Sequence, residues 1–482
     1  MNLLDRAIRA VAPGLALQRV RSRAALSVIE ARYDIASAGS RMKSWRPRGT
    51  DADSAGIARQ RMAFVARDMV RNTPFAERAK QVIAANVVGD GIIPKVMASN
   101  DRARETLLRL VEEHMDTAAI DADGRQNLYG LQRLAMQTVV EAGEVLVRRR
   151  RRDDRDGLPL PFQIQILEPD HLDNGRDSLM PGGNTIREGI EYDQIGRRVA
   201  YWLFPMHPGA DRIAARDYQS RRVPASEILH IYRQDRPGQM RGVTWFAPIA
   251  LQLQDLADHQ EAQLVRQKVA ACFAAFQVTP DADPNVQDPG ELSSITPGRI
   301  QRLAPGEDIR FADPPGVSGY DEFTQAVLRA VAAGLGVTYE ALAGDLSRVN
   351  FSSARMGRME MDRNVSAWQH LLMIPQFCQP IGRWAMEAAE AAQVWPRGAE
   401  GFDWVPPHRV LVDPTREIPA LAAKVRAGFA SRPSVIRELG YDPERVTAEI
   451  EADMAQRDGL IFESDARWVQ QPPAPVEEGE PE

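Results

Sequence analysis

The chain has 482 residues, room for about two to four domains with a substantial core. Hydrophobic residues make up 44% and charged residues 26%, close to globular averages, which excludes a disordered or membrane composition; no run of about 18 apolar residues offers a transmembrane helix. The net charge of −6 argues against a tight grip of the whole chain on duplex DNA, which calls for a clustered positive surplus.

Residues 1–56 read as an amphipathic, arginine-bearing helix followed by a polar segment around Trp45, an N-terminal arm without the apolar run of a signal peptide. From Ile57 to Val88 the pattern is helical, with Phe64, Val65, Met69, Phe75, Ala79, Val82 and Ile83 on its apolar side. Asn72-Thr73-Pro74 divides it, with proline at a first-turn position. Residues 101–117 and 128–143 form two more helices. Asp121, Asp123 and Arg125 between them resemble a calcium loop only superficially, because the glycine and terminal glutamate are misplaced.

Alternation at Val145 and Val147 and at Phe162, Ile164 and Ile166 predicts two strands joined by a turn at Asp156-Gly157. Arg148 to Arg152 are five consecutive arginines that could touch nucleic acid, but Asp153, Asp154 and Asp156 beside them offset the charge and favour a solvated hairpin end. Strands continue to about residue 233. The longest helical run spans 244–276, with Leu253, Leu256, Leu264 and Val265 expected to face inward and a length of roughly 40 Å after Pro248. Residues 277–320 switch to short, proline- and glycine-rich strands, a small module held between two helices.

In 322–358, Phe323, Val327, Val331 and Leu335 recur every four residues and mark one apolar helix face. Gly334 and Gly336 stop that helix, Thr338 caps a short turn, and Asp345 to Ser353 is a polar loop that opens a further helix. The helix over 352–374 carries Met356, Met359, Val365, Trp368, Leu371 and Leu372, with Pro375 and Pro380 expected to kink or end it. A strand follows within 395–414, then helices at 415–430, 434–440 and 443–458, and an acidic, proline-rich tail from Gln470 expected to be disordered.

No catalytic constellation emerges: the seven histidines are scattered, no GxSxG elbow is present, and no Walker lysine follows the glycines at 89–91. We therefore expect no catalytic residue, metal or cofactor. Cys272 and Cys378 lie far apart on apolar helical stretches and read as buried free thiols. Residues 431–446, SRPSVIRELGYDPERV, have a helix–turn–helix look that would place Arg437 or Arg445 in a major groove.

VLRAVAAGL followed by GLGVTYEAL, a polar loop and NFSSAR resembles the portal proteins of tailed bacteriophages of the lambda type. Further stretches resemble that family in its order: 44–54, 66–92, 255–276 and 303–311, so that roughly three-quarters of the chain takes part. The resemblance implies a mainly helical α+β fold. Its parts would be a wing (57–240), stem helices (241–276 and 317–336) flanking a small β-containing clip (277–316), a channel loop with a kinked helix returning to the wing (337–414), and a helical crown (415–469). It implies a ring, typically of twelve subunits, at one capsid vertex, a channel for DNA packaging and ejection. Implied partners are double-stranded DNA, the terminase large subunit, the major capsid protein and a head–tail connector protein, with no membrane; before assembly the chain would sit in the host cytoplasm. Asp345, Arg348, Asn350, Phe351, Ser352 and Arg355 are the candidates to face DNA, with pairing of the arginines to Asp345 or Glu360 as the structural alternative. Asp281, Asp283, Arg299, Arg302, Glu307 and Arg310 are the candidates for docking on the clip. The alternatives in other classes are a capsid-associated adaptor or scaffold that binds protein only, and a helix–turn–helix regulator.

Overall fold

A computed structural model describes residues 51–53, 56–210, 219–272, 276–278, 308–310, 319–407, 413–441 and 443–455. The chain divides into two units, Met1–Ser54 and Ala55–Glu482, and the second carries the architecture below.

The centre is a helical layer against a three-stranded sheet. Helices α1 (Gly56–Asn72), α2 (Pro74–Val87) and α4 (Leu128–Ala142) pack together, with α3 (Asp101–Leu110) running into a π-helical turn at Val111–Met115. Asn100 and Asn127 accept from the backbone N–H of Ala103 and Gly130, capping α3 and α4. Phe64 and Val65, expected on the apolar side of α1, are exposed, whereas Met69, Ala79, Val82 and Ile83 are buried. Strands β2 (Glu144–Arg151), β3 (Phe162–Leu167) and β9 (Ile228–Tyr232) form an antiparallel sheet in the order β3-β2-β9. Val145, Val147, Phe162 and Ile164 face the main core, while Leu146, Leu167 and Ile228 face a second cluster. That cluster lies under a five-stranded antiparallel sheet: β4 (Ser178–Leu179), β5 (Thr185–Arg187), β6 (Ile190–Tyr192), β7 (Arg198–Leu203) and β8 (Arg221–Pro224).

Helix α5 (Ala250–Cys272) leaves this body and α6 (Tyr320–Leu335) returns beside it. Strands β10 (Phe276–Val278) and β11 (Asp308–Arg310) pair antiparallel between them. Leu253 and Leu256 are buried as expected, but Leu264 and Val265 are half-exposed: the far half of α5 has left the core behind. The buried face of α6 is Gln325, Leu328, Val331, Ala332 and Leu335. Phe323 lies off it, with its ring centroid 4.5 Å from that of His259 on α5.

After α7 (Tyr339–Ala343), α8 (Phe351–Trp368) continues through a π-helical segment, Gln369–Cys378, into α9 (Gln379–Ala391). Pro375 sits inside that segment and Pro380 in the first turn of α9, so neither ends the rod. A proline removes one N–H and crowds the carbonyl four residues earlier, and wider winding absorbs both. Strand β12 (Ala399–Val405) pairs with β1 (Ile93–Ala98), tying the end of the rod to the body. The chain finishes in α10 (Pro414–Arg426), α11 (Arg432–Glu438) and α12 (Pro443–Ala455). Cys378 is a buried free thiol; Cys272 closes α5, and its side chain lies outside the description. No helix among the described residues is long and apolar enough to cross a membrane.

Candidate DNA-facing segment and the buried anchor behind it

The segment from Gly336 to Arg358 is shaped by local capping. Gly336 closes α6 at φ 73°, a left-handed conformation that suits glycine. Thr338 accepts from the N–H of Ala341 to open α7, and Gly344 closes it at φ 70°. Asp345 then accepts from both the N–H and the hydroxyl of Ser347, at 3.0 and 2.6 Å, and the Tyr339 hydroxyl lies 3.2 Å from its other oxygen. The Ser347 hydroxyl bond, then its N–H, holds the Asp345 carboxyl below the usual range. Asn350 and Ser353 form a reciprocal capping box at the start of α8.

Both arginine candidates are paired, though not with the acids expected. Arg348 reaches back to α6, donating to Asp321 at 3.2 Å and to Gln325 at 3.2 Å. Arg355 lies 3.9 Å from Glu417 on α10, linking the rod to the C-terminal helices. Asp345 serves the loop rather than Arg348 as a hydrogen-bond partner, and Glu360 is exposed. The Arg348–Asp321 pair is about two-thirds exposed on both sides, in the class of contacts worth about 0–1 kcal/mol. Along α8 the exposed faces include Met356 and Met359, and Leu371 follows on the rod; Met361, Val365 and Leu372 turn inward. The side chains of Phe351 and Ser352 lie outside the description, as do Asp281, Asp283, Arg299, Arg302 and Glu307 altogether; Arg310 is placed by its backbone pairing with Phe276.

A feature that periodicity does not announce ties the connection before α5, at Arg241 and Gly242, to the sheet. Glu144, at the start of β2, is buried, and its carboxylate accepts from Arg241 Nε at 2.9 and 3.0 Å, from the Gly242 N–H at 2.8 Å and from His230 Nε2 at 2.9 Å. Burial opposes the charge on Glu144, but the Arg241 guanidinium and the His230 hydrogen bond hold its carboxyl well below the carboxylate range. Burial pushes His230 down to about 4, so the contact is a neutral imidazole N–H on a carboxylate. Arg241 also donates to Asn174 at 2.8 Å and to Glu188, which Arg59 of α1 binds in turn. Gly143 ends α4 at φ 94°, and a Cβ there would stand 2.3 Å from the backbone of Val243. Nearby, Glu168, Asp170 and His207 present ligand atoms within 4.8 Å of one another, but Arg67 binds Asp170 and puts a cation into the group. Little in the sequence signals the anchor: Glu144 opens β2, His230 lies in the middle of β9, and Arg241 sits in the connection between β9 and α5.

These elements recur in known proteins. A family model described as phage portal protein, lambda family, matches residues 38–369. The chain belongs to the lambda family of phage portal proteins. It is 27% identical over 441 residues to the probable portal protein of Halomonas phage phiHAP-1, covering 85% of this chain and 84% of that one. Portal protein B of Escherichia phage lambda is 21% identical over 470 residues, covering 85% and 86%. Among solved structures, a chain in the neck of a native gene transfer agent particle matches with a TM-score of 0.50 and 15% identity, over 83% of this chain and 98% of that chain. The fold is thus of the portal type, α+β and mainly helical. The protein is a structural component of the bacteriophage virion, an oligomeric portal at the capsid vertex that provides the channel for DNA packaging.

Proposed function

We propose that twelve copies close side by side around a hollow axis. In that ring, residues 57–240 are the wing, 241–276 and 317–336 the stem, 277–316 the clip, 337–414 the channel loop and rod, and 415–469 the crown. The observation that carries this reading is the pair of adjoining helices α5 and α6, bridged at their far end by β10 and β11 and bearing half-exposed Leu264 and Val265. A lone globule has no use for such a projection, whereas neighbouring copies would cover it. The neck structure that this fold resembles was computed with C12 symmetry. Twelve helices set about 10 Å apart on a circle leave a bore of roughly 28 Å after the walls are subtracted, enough for a duplex.

Asp345, Arg348, Asn350, Phe351, Ser352 and Arg355 border the channel in this reading, and Arg348 exchanges its exposed Asp321 partner for passing phosphates. The clip, including Asp281, Asp283, Arg299, Arg302, Glu307 and Arg310, docks the terminase large subunit during packaging and a head–tail connector protein afterwards. The major capsid protein surrounds the ring, which assembles from subunits in the host cytoplasm. Negative-stain microscopy of the purified chain tests the ring: annular particles with a central hole support it, and monomers or dimers at micromolar concentration overturn it. Deleting residues 280–312 is expected to leave rings that assemble but do not package DNA.

A further inference from the structure

The five arginines of 148–152 do not share one environment. Arg149 points into the core face of the sheet and binds Glu387 and the Trp384 carbonyl; Arg151 pairs with Glu227. Arg148 and Arg150 fall on the opposite face of β2, about 7 Å apart, and Arg152 follows one residue past its end at the next alternate position. That face begins buried at Leu146 under the five-stranded sheet and then emerges, leaving the three guanidinium groups half-exposed.

None of the three has an acidic ion-pair partner among the described residues. Arg150 leans on the Gln165 amide oxygen at 3.0 and 2.6 Å, and Arg152 on that of Gln163 at 2.8 Å. Arg148 has no hydrogen-bond acceptor among the described residues. Asp153 and Asp156, which follow in sequence, make no ion pair with the row. Asp153 accepts from the N–H of Arg155, and Asp156 from the N–H of Asp153, so both carboxylates serve their own turn. Burial and then the charge of Arg150 depress the Arg148 guanidinium, and burial and then Arg152 do the same to Arg150, offset in part by Asp123. Arg221 on β8 adds its charge to the field at Arg148, offset there by Glu227. Like charges stacked along one sheet face destabilise the fold, and Arg150 and Arg152 keep N–H groups unspent beyond their glutamines.

We propose that Arg148, Arg150 and Arg152, with Arg221, form a sequence-independent contact face for the phosphate backbone of duplex DNA, separate from the channel segment. Guanidinium forks match phosphate oxygens, and a duplex presents a charge every ~3.4 Å along each strand. The row is flanked by glutamines and offers no apolar anchor, the feature on which protein interfaces concentrate their binding energy. That favours a polyanion over a folded protein. The portal's own function brings duplex DNA to the particle, and the negative net charge of the chain keeps the contact weak and salt-sensitive.

The test is fluorescence anisotropy of a labelled random-sequence duplex with the full-length assembled protein, between about 50 and about 200 mM salt. R148Q/R150Q/R152Q is expected to weaken binding about tenfold or more at the low end. It is also expected to flatten the slope of log affinity against log salt by about 2 to 3, near 0.9 for each phosphate no longer neutralised. Its melting temperature is expected to equal or exceed that of the unsubstituted protein, since mutual repulsion is removed. Should the triple variant fail to fold, R150Q alone is expected to lower the slope by about 0.9. An unchanged slope in a folded variant overturns the proposal. So does binding of a peptide of residues 470–482, rich in glutamate, to the row by a protein that does not bind the duplex.

Discussion

The body around α4 and β2 and the three C-terminal helices carry apolar side chains in comparable rhythm, yet they end in opposite conditions. In α4, Leu128, Leu131, Ala135, Met136, Val139 and Val140 are all buried. In α10 and α11 not one side chain is buried, and Phe429, just beyond α10, is 83% exposed. An isolated helix of 13 residues is marginal in water, so such a segment needs cover from neighbouring surfaces to be stable. An apolar pattern therefore states that a surface will be covered, and not by which copy.

The contrast breaks most visibly at the buried anchor. Arg241→Ala leaves Glu144 charged and unpaired inside the body and is expected to cost about 3–5 kcal/mol in denaturant unfolding; the doubly substituted E144Q/R241M is expected to lose less than the sum of its parts. Gly143→Ala forces a Cβ against Val243 at a left-handed φ and is expected to cost about 1–3 kcal/mol or more.

Acid acts on the body through buried imidazoles, of which His114 and His230 are the most strongly shifted and His171 is lowered as well. Burial holds His114 and His230 at about 4 in the fold, against an ordinary value near 6.5. The unfolded chain takes up protons that the fold refuses. Stability is therefore fully present above about pH 6.5 and falls as the pH drops towards about 4, by on the order of a kcal/mol or more per group. Chemical denaturation midpoints across that window measure it, and His114→Leu is expected to flatten the curve. The smallest effect on the single chain is expected at the open surface. Phe429→Ser changes subunit unfolding by less than about 0.5 kcal/mol, while sedimentation velocity registers a shift from rings to smaller species. Equal losses in both measurements would erase the distinction between the two regions.

The sequence made the helices legible where apolar spacing met a cap: Thr338 marks a true beginning and Gly336 a true end, although Gly334, expected to stop the same helix, lies within it. It also placed α10 to α12 within a few residues. It misled at Phe64, Leu264 and Val265, where an apolar residue faces away from this chain's own core. It misled again at Arg348 and Arg355, whose partners Asp321 and Glu417 are distant in sequence and come together only through the turn after α6 and the return of α10. The arginine run was the hardest to read, because charge counted along the chain cancels while charge counted across the strand does not.

The stretch Gln369–Cys378 bears on how this rod tolerates change. Each residue in it advances the winding by less than the roughly 100° of an α-helix. Ile381, Trp384, Ala385 and Ala388 thus meet the core at an angular phase that an even α-helical count from Val365 would not produce. Deleting one residue there would revolve the whole of α9 about its axis and swing those side chains off their seats.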